Sequence, residues 1–278
     1  MSTDKPNTAS TGSAGAQENI LADMVSSVRE ELVRRKAIHP LTALQRECEH
    51  LPRRTDRPFR QVLAEEGLHV IAEIKKASPS TGPFPPTISI SQRAREYWKG
   101  GAVAISVVTE PRFFKGSLDI IRQIRPLVPL PILRKDFVTD AYQVYETRLA
   151  GADVVLLIAS IVEEALLEDL IQLADSIGLD ALVEVTEKEE IEKVVRCGAK
   201  ILGVNNRDLT NLSTDFHRSL DLASAIPGHV LRISESGLSN AEQLAELRRA
   251  GYHGFLIGDC LMRQTDPSSF LRQLVSSS

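Results

Sequence analysis

From about residue 69 to residue 258, short continuous apolar runs alternate with longer stretches whose apolar residues recur three and four apart. The first kind predicts buried strands and the second amphipathic helices. The apolar runs begin near Val70, Ala102, Pro131, Asp153, Asp180, Lys200, His229 and Gly254. Helical spacing covers Ser89–Lys99, Asp140–Leu149, Glu187–Arg196 and Asn240–Arg249, and each stretch stops at a glycine: Gly100-Gly101, Gly151, Gly198 and Gly251. A glycine there predicts a left-handed cap, because it has no Cβ to clash. The segments Gly101-Ala102, Gly151-Ala152, Gly198-Ala199 and Gly251-Tyr252 recur roughly every 50 residues, the length of two strand–helix units. Eight strands alternating with helices imply a single closed parallel (β/α)8 TIM barrel, not an open doubly wound sheet. Neither GxGxxG nor GxxxxGK[ST] follows the first strand, which counts against both nucleotide-binding alternatives.

Ahead of the repeat, Ile20, Leu21, Met24, Val25, Val28, Leu32 and Val33 follow helical spacing from Asn19 to about Lys36. Phe59, Val62 and Leu63 suggest a second short helix. These helices, within about residues 19–66, read as an N-terminal extension of one barrel domain spanning residues 18–278. Residues 1–17 are rich in Ser, Thr, Gly and Ala and are expected to form a disordered tail. They have neither the apolar core of a secretory signal nor the arginines of a transit peptide.

The strand tips carry the chemistry. The first run, His69-Val70-Ile71-Ala72-Glu73-Ile74-Lys75, puts Glu73 and Lys75 two positions apart on one face. Opposite charges so placed hold each other ionised in a partly dry site. Later runs end in Lys135, in Glu184, in Asn205 with Arg207, and in Glu235 with Ser236. Polar groups collected at the carboxyl ends of many strands mark a barrel active site. Lys135 can protonate or polarise a carbonyl oxygen. Glu184 lies among Leu182, Val183 and Val185 with no charge partner in its own strand, so desolvation is expected to suit it to proton transfer. Asn205 can orient a hydroxyl through both donor and acceptor. Arg134, Asp136 and Asn206, on alternate positions, are expected to face outward or into loops as structural residues, and Glu235 fits either a functional or a structural role.

Loops after strands seven and eight of such barrels often bind phosphate. Here they hold Ser236, Gly237 and Gly258, with Asp259 beside them. A carboxylate repels phosphate, so Asp259 is given at most a main-chain contact, its side chain turned away. Phe113-Phe114 and Phe137 follow the second and third strands and can wall an aromatic substrate.

Composition sets limits. A net charge of -4 argues against a nucleic-acid or membrane-surface protein. No stretch approaches the ~18 consecutive apolar residues of a membrane span. Cys48, Cys197 and Cys260 are scattered, without CxxC, which disfavours disulfides and zinc and points to a reducing cytoplasm. The six histidines show neither HxH nor HExxH spacing, and no metal is expected.

Taken together, Glu73-Ile74-Lys75-Lys76-Ala77-Ser78-Pro79-Ser80, Pro131-Ile132-Leu133-Arg134-Lys135-Asp136-Phe137, Leu182-Val183-Glu184-Val185, Asn205-Asn206-Arg207-Asp208-Leu209 and Ser234-Glu235-Ser236-Gly237 closely resemble the indole-3-glycerol phosphate synthase family. The resemblance runs in order from about Glu30 to Met262. ExKxxSPS and LxKDF are its specific parts. It implies a carboxy-lyase of tryptophan biosynthesis that converts 1-(2-carboxyphenylamino)-1-deoxyribulose 5-phosphate to indole-3-glycerol phosphate without a cofactor. It implies Lys135 as general acid on the carbonyl, and Lys75, held by Glu73, near the departing carboxylate. Glu184 becomes the acid/base of the dehydration and Asn205 orients hydroxyls. The split of acid work between the two lysines stays open. Ser78, Phe114, Phe137, Leu156, Arg207, Glu235 and Ser236 match further binding positions. The extra N-terminal segment is expected over the barrel mouth. Asp259 is the main departure, since some members carry serine there.

The implied partner is a small phosphorylated molecule, with the protein a monomer or weak homo-oligomer. Two rivals stand beside this reading. One is a Schiff-base sugar-phosphate aldolase using a strand-tip lysine; the other is a non-catalytic barrel that binds a phosphorylated ligand.

Overall fold

The computed structural model describes residues 20–52, 54–208 and 212–276; the tail expected over residues 1–17 lies outside them. The apolar runs form β1 (His69–Ile74), β2 (Ala104–Val108), β3 (Ile132–Lys135), β4 (Val154–Ile158), β5 (Asp180–Val185), β6 (Ile201–Asn205), β7 (Leu231–Glu235) and β8 (Gly254–Ile257). All pair in parallel into one closed barrel, with β1 joined to both β2 and β8. Outward residues such as Val70, Ala72, Val183 and Val185 pack under the surrounding helices. Inward residues such as Ile71, Leu133, Leu182 and Ile233 form a separate core inside the ring.

The predicted helices appear one residue shorter at their starts. Ser89, Asp140, Glu187 and Asn240 are the N-caps of helices Ile90–Lys99, Ala141–Leu149, Lys188–Arg196 and Ala241–Arg249. Three of these caps accept a backbone N–H on the side chain, and Glu187 forms a reciprocal capping box with Glu190. Gly101, Gly151, Gly198 and Gly251 all have positive φ, as their places after the helices required.

The extension divides between the two ends of the barrel. Helix α1 (Ile20–Ile38) buries Met24, Val25 and Val28 against the interior cluster that includes Phe137, Leu156 and Ile158 at the mouth. Helix α2 (Leu41–Glu49) was not legible in the sequence, because it buries only Leu44, against Leu32 and Tyr142. Helix α3 (Pro58–Ala64) closes the opposite end. Its Phe59 and Leu63 are fully buried in the interior cluster, and Arg60 Nε lies 2.9 Å from Oδ1 of Asp180, which opens β5. No helix among the described residues is long and apolar enough to cross a membrane.

Register decides which side chains share a height. Adjacent strands are offset by the barrel's tilt, so each interior layer is built by alternate strands. Following the pairing around the ring, β1, β3, β5 and β7 bring Glu73, Lys135, Glu184 and Glu235 to one level. The even strands place Ser106, Leu156, Gly203 and Leu256 beneath, and Val108, Ile158 and Asn205 above, with Gly258 just past the end of β8. The next odd-strand layer down is Ile71, Leu133, Leu182 and Ile233, which is wholly apolar. Barrel layers are normally filled by Val, Ile and Leu. The uppermost odd layer here is charged.

Candidate active site

Within that layer Lys135 is shared. Its Nζ lies 2.8 Å from Glu184 Oε2 and 2.8 Å from Glu235 Oε2. Glu73 Oε1 lies 2.8 Å from Lys75 Nζ, which reaches over from the tip of the same strand. Asn205 Nδ2 donates to Glu184 Oε1 at 3.0 Å, while its Oδ1 accepts from the Arg207 N–H at 2.9 Å. Both ends of the Asn205 amide are therefore fixed, and Glu184 is held from two sides.

Glu184 has no charge partner in its own strand, as expected, but the closed ring supplies Lys135 from β3. The carboxyl with the weaker support is Glu235. It is fully buried, and its Oε1 has no hydrogen-bond partner. Burial, joined by the charges of Glu184 and Glu73 and opposed by Lys135, pushes Glu235 up to about 7. Burial alone would lower Lys135, but the charges of Glu184, Glu235 and Glu73 outweigh it, and its pKa moves upward. Lys75 moves upward in the same way: the charges and hydrogen bonds of Glu73 and Asp259 overcome desolvation. Both ammoniums are therefore charged at neutral pH, above a carboxyl that exchanges its proton there.

The cavity over this layer opens at the carboxyl ends of the strands. Of the residues expected to form the site, Glu73, Lys75, Ser78, Phe114, Lys135, Phe137, Leu156, Glu184, Asn205, Arg207 and Ser236 all line it. Phe114 and Phe137 face each other with ring centroids 6.4 Å apart, tilted by 41°. Leu21 and Met24 of α1 close the cavity from above. The loop after β1 folds back as a two-residue antiparallel ladder, Ala77–Ser78 with Gly82–Pro83, and the Ser78 hydroxyl meets Thr81 Oγ1 at 2.7 Å.

Glu110 was missed. It is almost fully buried, lines the cavity, and accepts the N–H groups of Arg112, Phe113 and Phe114 at 2.8, 2.7 and 3.0 Å. That triple bond folds the loop after β2 and presents Phe114. The signal was available, since Glu110 follows the apolar run of β2 much as the other polar tips follow theirs. Arg134, by contrast, joins a buried network on the outer side of the ring, bonding Asp136 Oδ2 at 2.9 Å and the Gln143 carbonyl at 2.8 Å.

At the other rim, Ser236 and Gly237 both have positive φ (68° and 75°), so the chain turns sharply after β7. Asn206 Nδ2 donates to the Ser236 carbonyl at 3.0 Å and braces the turn. Gly237, Gly258 and Asp259 do not line the central cavity, and Glu235 lies beneath its floor. A Cβ on Gly258 would overlap Glu73 Oε1 and lie 3.0 Å from Lys75 Nζ, so this glycine makes room for that pair. The Asp259 carboxylate contacts Lys75 Nζ, and its Oδ2 lies 3.8 Å from Arg207 Nη2. Two cations at the mouth draw this side chain toward them.

Comparison with known proteins agrees with this geometry. The family model for indole-3-glycerol phosphate synthase matches residues 21–274. The chain is 42% identical to the indole-3-glycerol phosphate synthase of Kineococcus radiotolerans over 271 residues, covering 93% of this chain and 95% of that one. It is 41% identical to that of Carboxydothermus hydrogenoformans over 261 residues, covering 91% and 99%. Among solved structures, 3-hexulose-6-phosphate synthase from Salmonella typhimurium superposes with a TM-score of 0.60 at 12% identity, over 75% of this chain and 97% of that chain. At that identity the likeness speaks for the barrel alone.

Proposed function

The chain belongs to the indole-3-glycerol phosphate synthase family, and from that premise we propose how its barrel mouth closes the indole ring. The reaction takes 1-(2-carboxyphenylamino)-1-deoxyribulose 5-phosphate to indole-3-glycerol phosphate, with loss of carbon dioxide and water. The ring carbon that bears the carboxylate bonds to the sugar ketone, and the ketone oxygen takes up a proton. Carbon dioxide then leaves with its bond electrons returned to the ring. Finally the new hydroxyl departs as water while a base removes a proton.

Lys135 donates to the ketone oxygen; it is the ammonium at the floor, charged and held between Glu184 and Glu235. Lys75, paired with Glu73 and at the rim, faces the substrate carboxylate. Phe114, Phe137 and Leu156 wall the aromatic ring, with Ser78 at the loop edge. Glu184, oriented by Asn205, serves the dehydration. Arg207 and the backbone N–H groups of Ser236, Gly237, Gly258 and Asp259 bind phosphate. All these groups come from one chain, so a monomer or weak homo-oligomer suffices, and a reducing cytoplasm suits the free Cys48, Cys197 and Cys260.

The observation that carries this reading is a charged lysine on a carboxylate floor, directly below an aromatic wall. Purified protein, with no added metal or cofactor, should generate indole-3-glycerol phosphate fluorescence from the substrate. Lys135→Ala should retain binding and lose ~10²–10⁴-fold in kcat, the usual contribution of a general acid. A loss under about tenfold would remove Lys135 from the role. A lysine adduct trapped by borohydride in the presence of substrate would favour the aldolase.

A further inference from the structure

Gly203 sits in the middle of β6, where a glycine is unexpected. It is paired on both sides, with Glu184 of β5 and Ile233 of β7, and its φ is not positive. Any residue could adopt that backbone, and glycine in a strand interior weakens the strand. The missing side chain therefore needs a reason in the space it leaves. A Cβ on Gly203 would overlap Glu235 Oε1 and would lie 3.2 Å from both Glu235 Cδ and Leu182 Cδ1. Glu235 thus has one oxygen over Gly203 and the other 2.8 Å from Lys135 Nζ.

The same device occurs across the ring. Gly258, just past even strand β8, leaves the space occupied by Glu73 Oε1, and Glu73 in turn holds Lys75. Two carboxylates of the charged layer each lean into a gap left by a glycine, and each supports one of the two lysines.

We propose that Gly203 is a positioning residue of this active site: its absent side chain is the space into which Glu235 turns so that its second oxygen reaches Lys135. The inference rests on the reading of Lys135 as the proton donor. The groups facing the Glu235 carboxyl are Lys135 from β3, Glu184 from β5 and Glu73 from β1. Adding a methyl at Gly203 displaces the carboxyl from Lys135, the one cation among them, so Glu235 should hold its proton to higher pH.

The test compares Gly203→Ala, Glu235→Asp and the double variant with the wild type. Gly203→Ala should lose ~10²-fold in kcat with KM changed less than about threefold, as expected for a misplaced group acting only in the chemical step. The limb of the pH–rate profile that reports Glu235, expected near neutrality from its raised pKa, should move upward. In the double variant the shorter aspartate side chain that replaces Glu235 vacates the contested space, so Gly203→Ala should add less than about threefold to the loss caused by Glu235→Asp alone. A Gly203→Ala enzyme with unchanged kcat and limb overturns the proposal, and so does a double variant that is simply additive. If the single alanine variant does not fold, the double must fold and turn over, and its failure counts against the proposal. Infrared titration of the buried carboxyl in unliganded protein reads the same displacement without turnover. A wild type that makes no indole-3-glycerol phosphate therefore sinks the function, while the titration still judges Gly203: an upward move in the alanine variant supports the proposal and no move refutes it.

Discussion

Replacing Glu235 with glutamine should change how stability depends on pH, in a window that the structure specifies. Burial lifts this carboxyl from 4.5 to about 7, a difference of about 2.5 pH units. At 1.36 kcal/mol per unit this amounts to about 3 kcal/mol of differential interaction between the two protonation states. The sign follows from linkage. The folded pKa lies above the unfolded one, so between them the native state holds more protons than the unfolded chain. Stability from this group is fully present below about 4.5 and is lost as pH rises through about 7. Glutamine does not titrate and loses nothing. Lys135, whose pKa moves upward, stays charged throughout the window and adds no slope. Urea-unfolding free energies of both proteins, taken from pH 4.5 to pH 8, should therefore diverge in favour of Glu235→Gln as pH rises and level off above about 7. The constant offset from the weakened Lys135 contact does not matter; the slope does. A difference that is flat across the window, or that narrows with rising pH, refutes the reasoning.

Two further substitutions probe the rim. Asp259→Ser removes the anion that occupies Lys75 and approaches Arg207, so KM for the anionic substrate should fall by up to about tenfold, with a weaker dependence on salt. A rise in KM would mean that the carboxylate holds Lys75 in place for the substrate. Glu110→Ala strips three N–H groups of their acceptor, so it should cost about 1–3 kcal/mol in unfolding free energy and raise KM by loosening Phe114. A variant with unchanged stability and KM would show that the loop holds itself.

The ring was readable because each strand is a short apolar run closed by polar residues, and the helices announce their ends. Sequence spacing includes Ser89, Asp140, Glu187 and Asn240 in their helices because N-caps are polar and adjoin the first turn; geometry puts them one step outside. Helix α2 escaped because its packing rests on Leu44, too little to make a periodic stripe. The site residues were visible one at a time, as polar tips. Their contacts were not, because contacts across a barrel depend on register summed over several strands. Lys135 is 49 residues from Glu184 and 100 from Glu235, yet both carboxylates touch it. The contact between Asp259 and Lys75 was hidden likewise, because it joins the ends of β8 and β1, neighbours in the ring but last and first in the chain.

The charge of the layer shows why that register matters for chemistry. Glu73, Glu184 and Glu235 share a level with one cation, Lys135, while Lys75 above is divided between Glu73 and Asp259. Full ionisation of all three carboxyls would crowd like charges around a single ammonium inside a dry ring. The least exposed of them, with one oxygen left without a partner, is Glu235, and it is there that repulsion and desolvation are relieved by keeping a proton. Lys135 donates at once to that carboxyl and to Glu184, so its ammonium is held from both sides. Had the same layer been filled by Val, Ile and Leu, as the layer of Ile71, Leu133, Leu182 and Ile233 beneath it is, the barrel would gain packing and lose its ionisable groups. The placement of polar residues on odd strands at one height, with glycine beside them on β6 and just past β8, is what turns a core layer into a charged floor.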